Sequence, residues 1–170
     1  MTTAGRPGRL RRLRGFDYAG CGEYFVTTVT HRRECLFGTV VGSVMRRTSA
    51  GDAVHRAWLA LPERYPFLSP DSFIVMPNHI HGILVFGPEH VLARDGGLLT
   101  PGRVHLDRVM RAFKSTSAIA VNRTLGRAGV PLWQSGYFEH VVRNERALER
   151  IRGYIDGNPE AWPKDRFHSG

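Results

Sequence analysis

Cysteine, lysine and long apolar runs are all scarce in this chain. Two cysteines in 170 residues, Cys21 and Cys35, are too few for a disulfide framework, and their spacing is not that of a zinc site. Both are read as reduced and structural. No apolar stretch approaches the roughly 20 residues of a membrane helix, and no apolar segment follows the basic N-terminus as a secretion signal would. The expected compartment is therefore the cytoplasm, at the nucleoid. Acidic residues are the minority: 15 Asp and Glu face 24 Lys and Arg, a net charge of +9. Lysine occurs only at Lys114 and Lys164, so the positive charge is almost all arginine. A GC-rich genome also enriches arginine, but its planar fork suits phosphate and stacks on bases, and the charge favours a nucleic acid over an acidic protein or a membrane surface.

The length fits one domain with some chain to spare. Residues 1–14 carry five arginines and no acid and are read as a flexible basic arm. Residues 15–162 form the domain and 163–170 a short tail. Residues 24–31 (YFVTTVTH) have strand composition, and 39–47 suggests a short extended piece. Apolar residues at helical spacing predict helices over 49–65 and 103–122, with a glycine- and proline-rich loop over 87–102 between them. Two strands, 73–76 and 80–86, flank a Pro77-Asn78 turn. Residues 137–143 give a last strand, and Asn144 caps a third helix running to about Asn158, where Pro159 stops it. The order βα–ββ–αβ–α predicts an α+β fold: a ferredoxin-like βαββαβ sandwich with a four-stranded antiparallel sheet, plus an extra C-terminal helix free to cover the second sheet face.

The chemistry concentrates in IVMPNHIHGILV (74–85). On a strand, alternation sends His79 and His81 to one face and Ile80 to the other. Two imidazoles side by side can hold a divalent metal; alone, such a pair is equally two histidines near a turn. On the third helix Tyr154 and Asn158 stand four apart, so phenol and carboxamide share a helix face. The Asn oxygen with two imidazole nitrogens makes a mixed N/O site suited to Mg²⁺ or Mn²⁺. Taken singly, Tyr154 also reads as a core tyrosine and Asn158 as a helix terminator.

Together, YFVTTVT (24–30), MPNHIHG (76–82), FKS (113–115), WQSGYFEHVVRNE (133–145) and YIDGNP (154–159) resemble the single-tyrosine HUH transposases of IS200/IS605-type insertion sequences. The closer resemblance is to the REP-associated tyrosine transposases. It runs from about Leu13 to Trp162 and is looser around the first helix. It implies that His79, His81 and Asn158 are the metal ligands and Tyr154 the nucleophile. The Asn at position 158, where the insertion-sequence branch has Gln, sides with the REP-associated branch.

The resemblance further implies a metal-dependent endonuclease and strand transferase acting on single-stranded DNA at a hairpin through a 5′-phosphotyrosine intermediate, as monomer or homodimer. Glu139 and His140 are candidates to take the tyrosine proton, and His140 is also a candidate DNA contact. Arg11, Arg12 and Arg14 are candidates for phosphate binding. Lys114 and Ser115 are read as DNA contacts, as supports of the site, or as an exposed helix face. Two other functions fit parts of the pattern: a non-catalytic ferredoxin-like DNA- or RNA-binding protein, against which the missing RNP1-type pattern counts, and a phosphoesterase that uses water in place of Tyr154.

Overall fold

A computed structural model describes residues 22–87, 93–95, 98–100 and 106–168. The basic arm with Arg11, Arg12 and Arg14, and also Cys21, lie outside the described residues. The elements in chain order are β1 (Gly22–Val29), a 3₁₀ turn (His31–Arg33), β2 (Gly38–Val41), β3 (Val44–Arg47), α1 (Ser49–Leu59), α2 (Leu61–Arg64), β4 (Leu68–Val75) and β5 (His79–Phe86). Then follow β6 (Ala93–Asp95), β7 (Leu98–Thr100), α3 (Leu106–Leu125), β8 (Phe138–Val142), α4 (Glu145–Asp156), α5 (Asn158–Ala161) and a final 3₁₀ turn (Trp162–Lys164).

The fold is α+β. Strands β4, β5, β1 and β8 form a four-stranded antiparallel sheet in that spatial order. Alternation along β1 and β5 divides the apolar residues between two faces. Tyr24, Val26, Ile80, Leu84 and Phe86 pack with Val54 and Trp58 of α1 and Met110 and Phe113 of α3 in the main core. On the opposite face Phe25, Ile83 and Val142 form a smaller cluster with Leu148 and Ile155 of α4. Helix α4 therefore covers the face left open by α1 and α3, as the sequence suggested of its last long helix. β5 is paired on both sides and covered on both faces, which explains its nearly unbroken apolar run.

Five details depart from the sequence reading. The helix expected over 49–65 is two helices, because Pro62 in the first turn of α2 cannot donate into the ladder of α1. Residues 39–47 form a hairpin, β2–β3, turning at Gly42 and Ser43, both at positive φ (52° and 62°), as a two-residue type I′ turn requires. The segment read as a loop over 87–102 contains a second short antiparallel strand pair, β6–β7. The last long helix ends at Asp156, and Pro159 opens α5 instead of merely stopping α4, since proline is well placed in a first helical turn. Cys35 is exposed, not packed as a structural cysteine. Asn144 does cap α4, its side chain accepting from Ala147 N at 2.9 Å. No helix among the described residues is long and apolar enough to cross a membrane.

Gly82, the residue after the histidines, has a packing role. A Cβ there would lie 2.5 Å from Cζ2 of Trp58 and 3.0 Å from Cδ2 of Phe73. The indole stacks on Phe73 with ring centroids 4.4 Å apart and lies flat over the bare glycine. Gly82→Ala is expected to destabilise the protein by about 1–3 kcal/mol through overpacking, read as a lower urea midpoint with an unchanged m-value.

Candidate metal and nucleophile site

His79 and His81 leave β5 on the α4 face and are buried, at 0% and 1% exposure. Each has its Nδ1 engaged. His81 Nδ1 lies 2.7 Å from Oγ1 of Thr27, the residue opposite it on β1. His79 Nδ1 lies 2.9 Å from Oδ1 of Asn78. Asn78 Nδ2 donates to the carbonyl oxygens of Arg33 (3.2 Å) and Phe167 (2.8 Å), which fixes the orientation of the amide. Its Oδ1 can only accept, so His79 Nδ1 carries the proton and Nε2 keeps its lone pair. Thr27 allows the same tautomer at His81.

Nε2 of His79 and both Oδ1 and Nδ2 of Asn158 are buried without a hydrogen-bond partner among the described residues. Asn158 is 1% exposed and close enough to His79 and Tyr154 to bear on the ionisation of both. Buried polar groups are normally paired, and leaving one unpaired costs about 1–3 kcal/mol. Of these, the His79 nitrogen and the Asn158 carboxamide oxygen carry lone pairs that fit a cation. A further donor, which the sequence did not reveal, is Asp165: ligand atoms of His79, His81 and Asp165 all lie within 4.8 Å of one another. Two imidazoles, one carboxamide oxygen and one carboxylate suit a divalent ion.

Tyr154 reaches the same point from α4. Its Oη is 3.3 Å from His81 Nε2, its ring meets those of His81 and Phe25, and the residue is 46% exposed. Gly157 breaks the helix between Tyr154 and Asn158, so they converge from two helices and not from one face of a continuous helix. A bidentate ion pair from Arg152 to Asp71 (3.0 and 2.7 Å) ties α4 to β4.

The other sequence candidates are scattered. His140 pairs with Phe25 across β1–β8, which puts it on the histidine face, and it is exposed. Glu139 lies opposite Val26, on the α1/α3 face, away from the Tyr154 hydroxyl. Lys114 Nζ donates to the carbonyls of Gln134 and Gly136, both at 2.7 Å, and so braces the segment leading into β8. Ser115 is exposed on α3.

The chain is 30% identical to an uncharacterized protein of Haemophilus influenzae, over 99% of both. The two belong to one family. No protein-family model matches the chain. Among solved structures it is similar to a REP-associated tyrosine transposase bound to a REP hairpin, with a TM-score of 0.59, 20% identity, 89% of this chain covered and 73% of the other. It is also similar to a proposed transposase from Deinococcus radiodurans R1, with a TM-score of 0.49, 19% identity and coverage of 86% and 96%; nothing below rests on the latter. The resemblance to REP-associated tyrosine transposases carried by the motifs is therefore also one of fold.

Burial holds both imidazoles neutral. It lowers His79 to about 4, against a smaller opposing pull from Asp165, and puts His81 well below the ordinary value, helped by His79 and Arg166. Burial raises the Tyr154 phenol, with Asp165 adding to it, while Asn158 and Arg166 act the other way. For the histidines the folded state resists protons that the unfolded chain accepts. Stability is therefore full above about pH 6.5 and falls as pH drops toward 4, by roughly 1.4 kcal/mol per pH unit for each histidine that stays neutral. Urea unfolding in metal-free buffer at pH 7.5, 5.5 and 4.5 should show this slope. It should be shallower in the His79→Gln/His81→Gln double variant, which separates it from carboxylate titration.

Proposed function

We infer that the protein is a single-tyrosine HUH transposase of the REP-associated kind: a DNA-nicking and strand-joining enzyme that acts on single-stranded DNA at a hairpin. The observation that carries this reading is a partly exposed tyrosine hydroxyl 3.3 Å from Nε2 of one histidine of a buried His-x-His pair. A structural tyrosine has no need of that neighbour. A base-binding module has no need of two histidines buried side by side.

In this reading His79, His81 and an oxygen of Asn158 or Asp165 hold Mg²⁺ or Mn²⁺, which supplies Lewis-acid polarisation of the phosphate. Asn78 and Thr27 fix the imidazoles with Nε2 inward. Tyr154 Oη attacks the phosphorus of a DNA phosphodiester in line with the 3′-oxygen. The Oη–P bond forms, the P–O3′ bond breaks, and the phenolic proton is made up on the departing 3′-hydroxyl. The phosphotyrosine retains the diester bond, so a second 3′-hydroxyl can reverse the step and join strands. The similar transposase structure contains a REP hairpin, and the charge of +9 suits such a partner.

The test is a denaturing gel with a labelled single-stranded hairpin oligonucleotide and Mg²⁺ or Mn²⁺. Wild type should give a covalent adduct. Tyr154→Phe should give none while still binding the oligonucleotide, and undiminished adduct in that variant would remove Tyr154 as nucleophile. His79→Ala should lose the metal-dependent adduct; unchanged yield would sink the metal assignment. Metal-dependent cleavage that survives in Tyr154→Phe would instead indicate hydrolysis by water.

A further inference from the structure

Resting on the reading above, we propose that Arg166, from the segment after α5, is a catalytic residue whose guanidinium binds the phosphate that Tyr154 attacks. Its Cζ lies 4.5 Å from the ring centroid of Phe167 and 5.8 Å from that of Phe138. Phe167 packs against His79 at 4.7 Å. Phe138 packs against Phe25 at 6.0 Å, and Phe25 in turn contacts both His81 and Tyr154. The cation thus spans two aromatic walls that meet at the ligands and the nucleophile.

The segment that carries it is fixed to the fold. Arg33 Nη1 donates to the Arg166 carbonyl at 3.2 Å, Asn78 Nδ2 to that of Phe167, and Phe167 N to Asp165 Oδ1 at 2.7 Å. The Asn78 amide that fixes the His79 tautomer therefore also positions this segment. Arg47, Arg127 and Arg152 each lie against a carboxylate. Arg166 is exposed and has no ion-pair partner among the described residues. A planar fork stacked on aromatics, charged and unpaired at the mouth of a phosphoryl-transfer site, is suited to two phosphate oxygens. It would stabilise both the attacking oxygen and the charge that develops on the phosphate.

The experiment uses the full chain as wild type, Arg166→Ala and Arg166→Gln, the last keeping most of the stem over the rings. Phenyl phosphate stands in for the phosphotyrosine, and its binding is measured by calorimetry with Mg²⁺ present, alongside the adduct rate on a hairpin oligonucleotide and the Tm. Wild type should bind phenyl phosphate. Both variants should bind it at least about tenfold more weakly, the loss of one charge-assisted hydrogen bond, and form adduct about 10²-fold more slowly or worse, with Tm unchanged. Equal phenyl phosphate binding by wild type and either folded variant, or none by wild type, overturns the proposal. If wild type binds phenyl phosphate through Arg166 but forms no adduct on any hairpin, the transferase reading fails and the phosphate site stands. If variants and wild type form adduct at equal rates, the transferase reading stands and Arg166 is excluded.

Discussion

The site depends on two imidazoles buried as neutral bases on the central strand of a sheet, each with its Nδ1 already engaged. That arrangement is unfavourable unless something else comes to Nε2, because a lone pair sealed from water with no donor is a standing cost. At His81 the donor is the Tyr154 hydroxyl. At His79 none of the described residues supplies one. The rest of the histidine face follows from this. It must be covered, since His79 and His81 sit among Phe25, Ile83 and Trp162, yet the cover must leave the two Nε2 atoms facing oxygen-bearing groups and not apolar carbon. α4, α5 and the segment after them meet that demand by delivering Tyr154, Asn158 and Asp165 to one place.

The charges there are nearly balanced without a metal. The imidazoles and Asn158 are neutral, Asp165 is negative and Arg166 is positive. Adding a divalent cation and one phosphodiester leaves a net charge of one, a small sum for a site in partly desolvated surroundings. The same bookkeeping explains why Tyr154 stays protonated in the free protein: burial and Asp165 oppose the phenolate, and a single exposed guanidinium does not outweigh them.

Much of this was legible in the sequence because it follows from local periodicity. Alternation alone puts His79 and His81 together, and the apolar stripe Leu148, Ile151, Ile155 orients α4 so that Tyr154 emerges beside it. Asn158 was found by a spacing argument whose premise fails, since Gly157 ends the helix first. The residue still arrives because only Gly157, itself in the right-handed helical region, separates α4 from α5. Asp165 and Arg166 could not be read. Nothing periodic marks residues 163–168, and their place is set by hydrogen bonds from Asn78 and Arg33, partners 89 and 133 positions away in the chain. Lys114 shows the same limit. A lysine midway along a helix of a basic protein invites a DNA contact, while its ammonium is occupied by two backbone carbonyls that only the folded chain brings to it.

The two histidines and Tyr154 are not held with equal force. The histidines belong to a strand locked on both edges and packed on one face against the main core. Tyr154 belongs to a helix anchored by the smaller cluster, chiefly Leu148 and Ile155, and by the Arg152–Asp71 pair. Each fully buried aliphatic side chain contributes roughly 1.5–3 kcal/mol, and a partly exposed ion pair adds at most about 1. Local opening of α4 therefore costs less than global unfolding, so the tyrosine is the least constrained member of the constellation. The attack proposed for Tyr154 demands more than that hold provides, and a phosphate seated between Arg166 and the histidines would restrict the phenol from its exposed side, where the protein itself leaves it free.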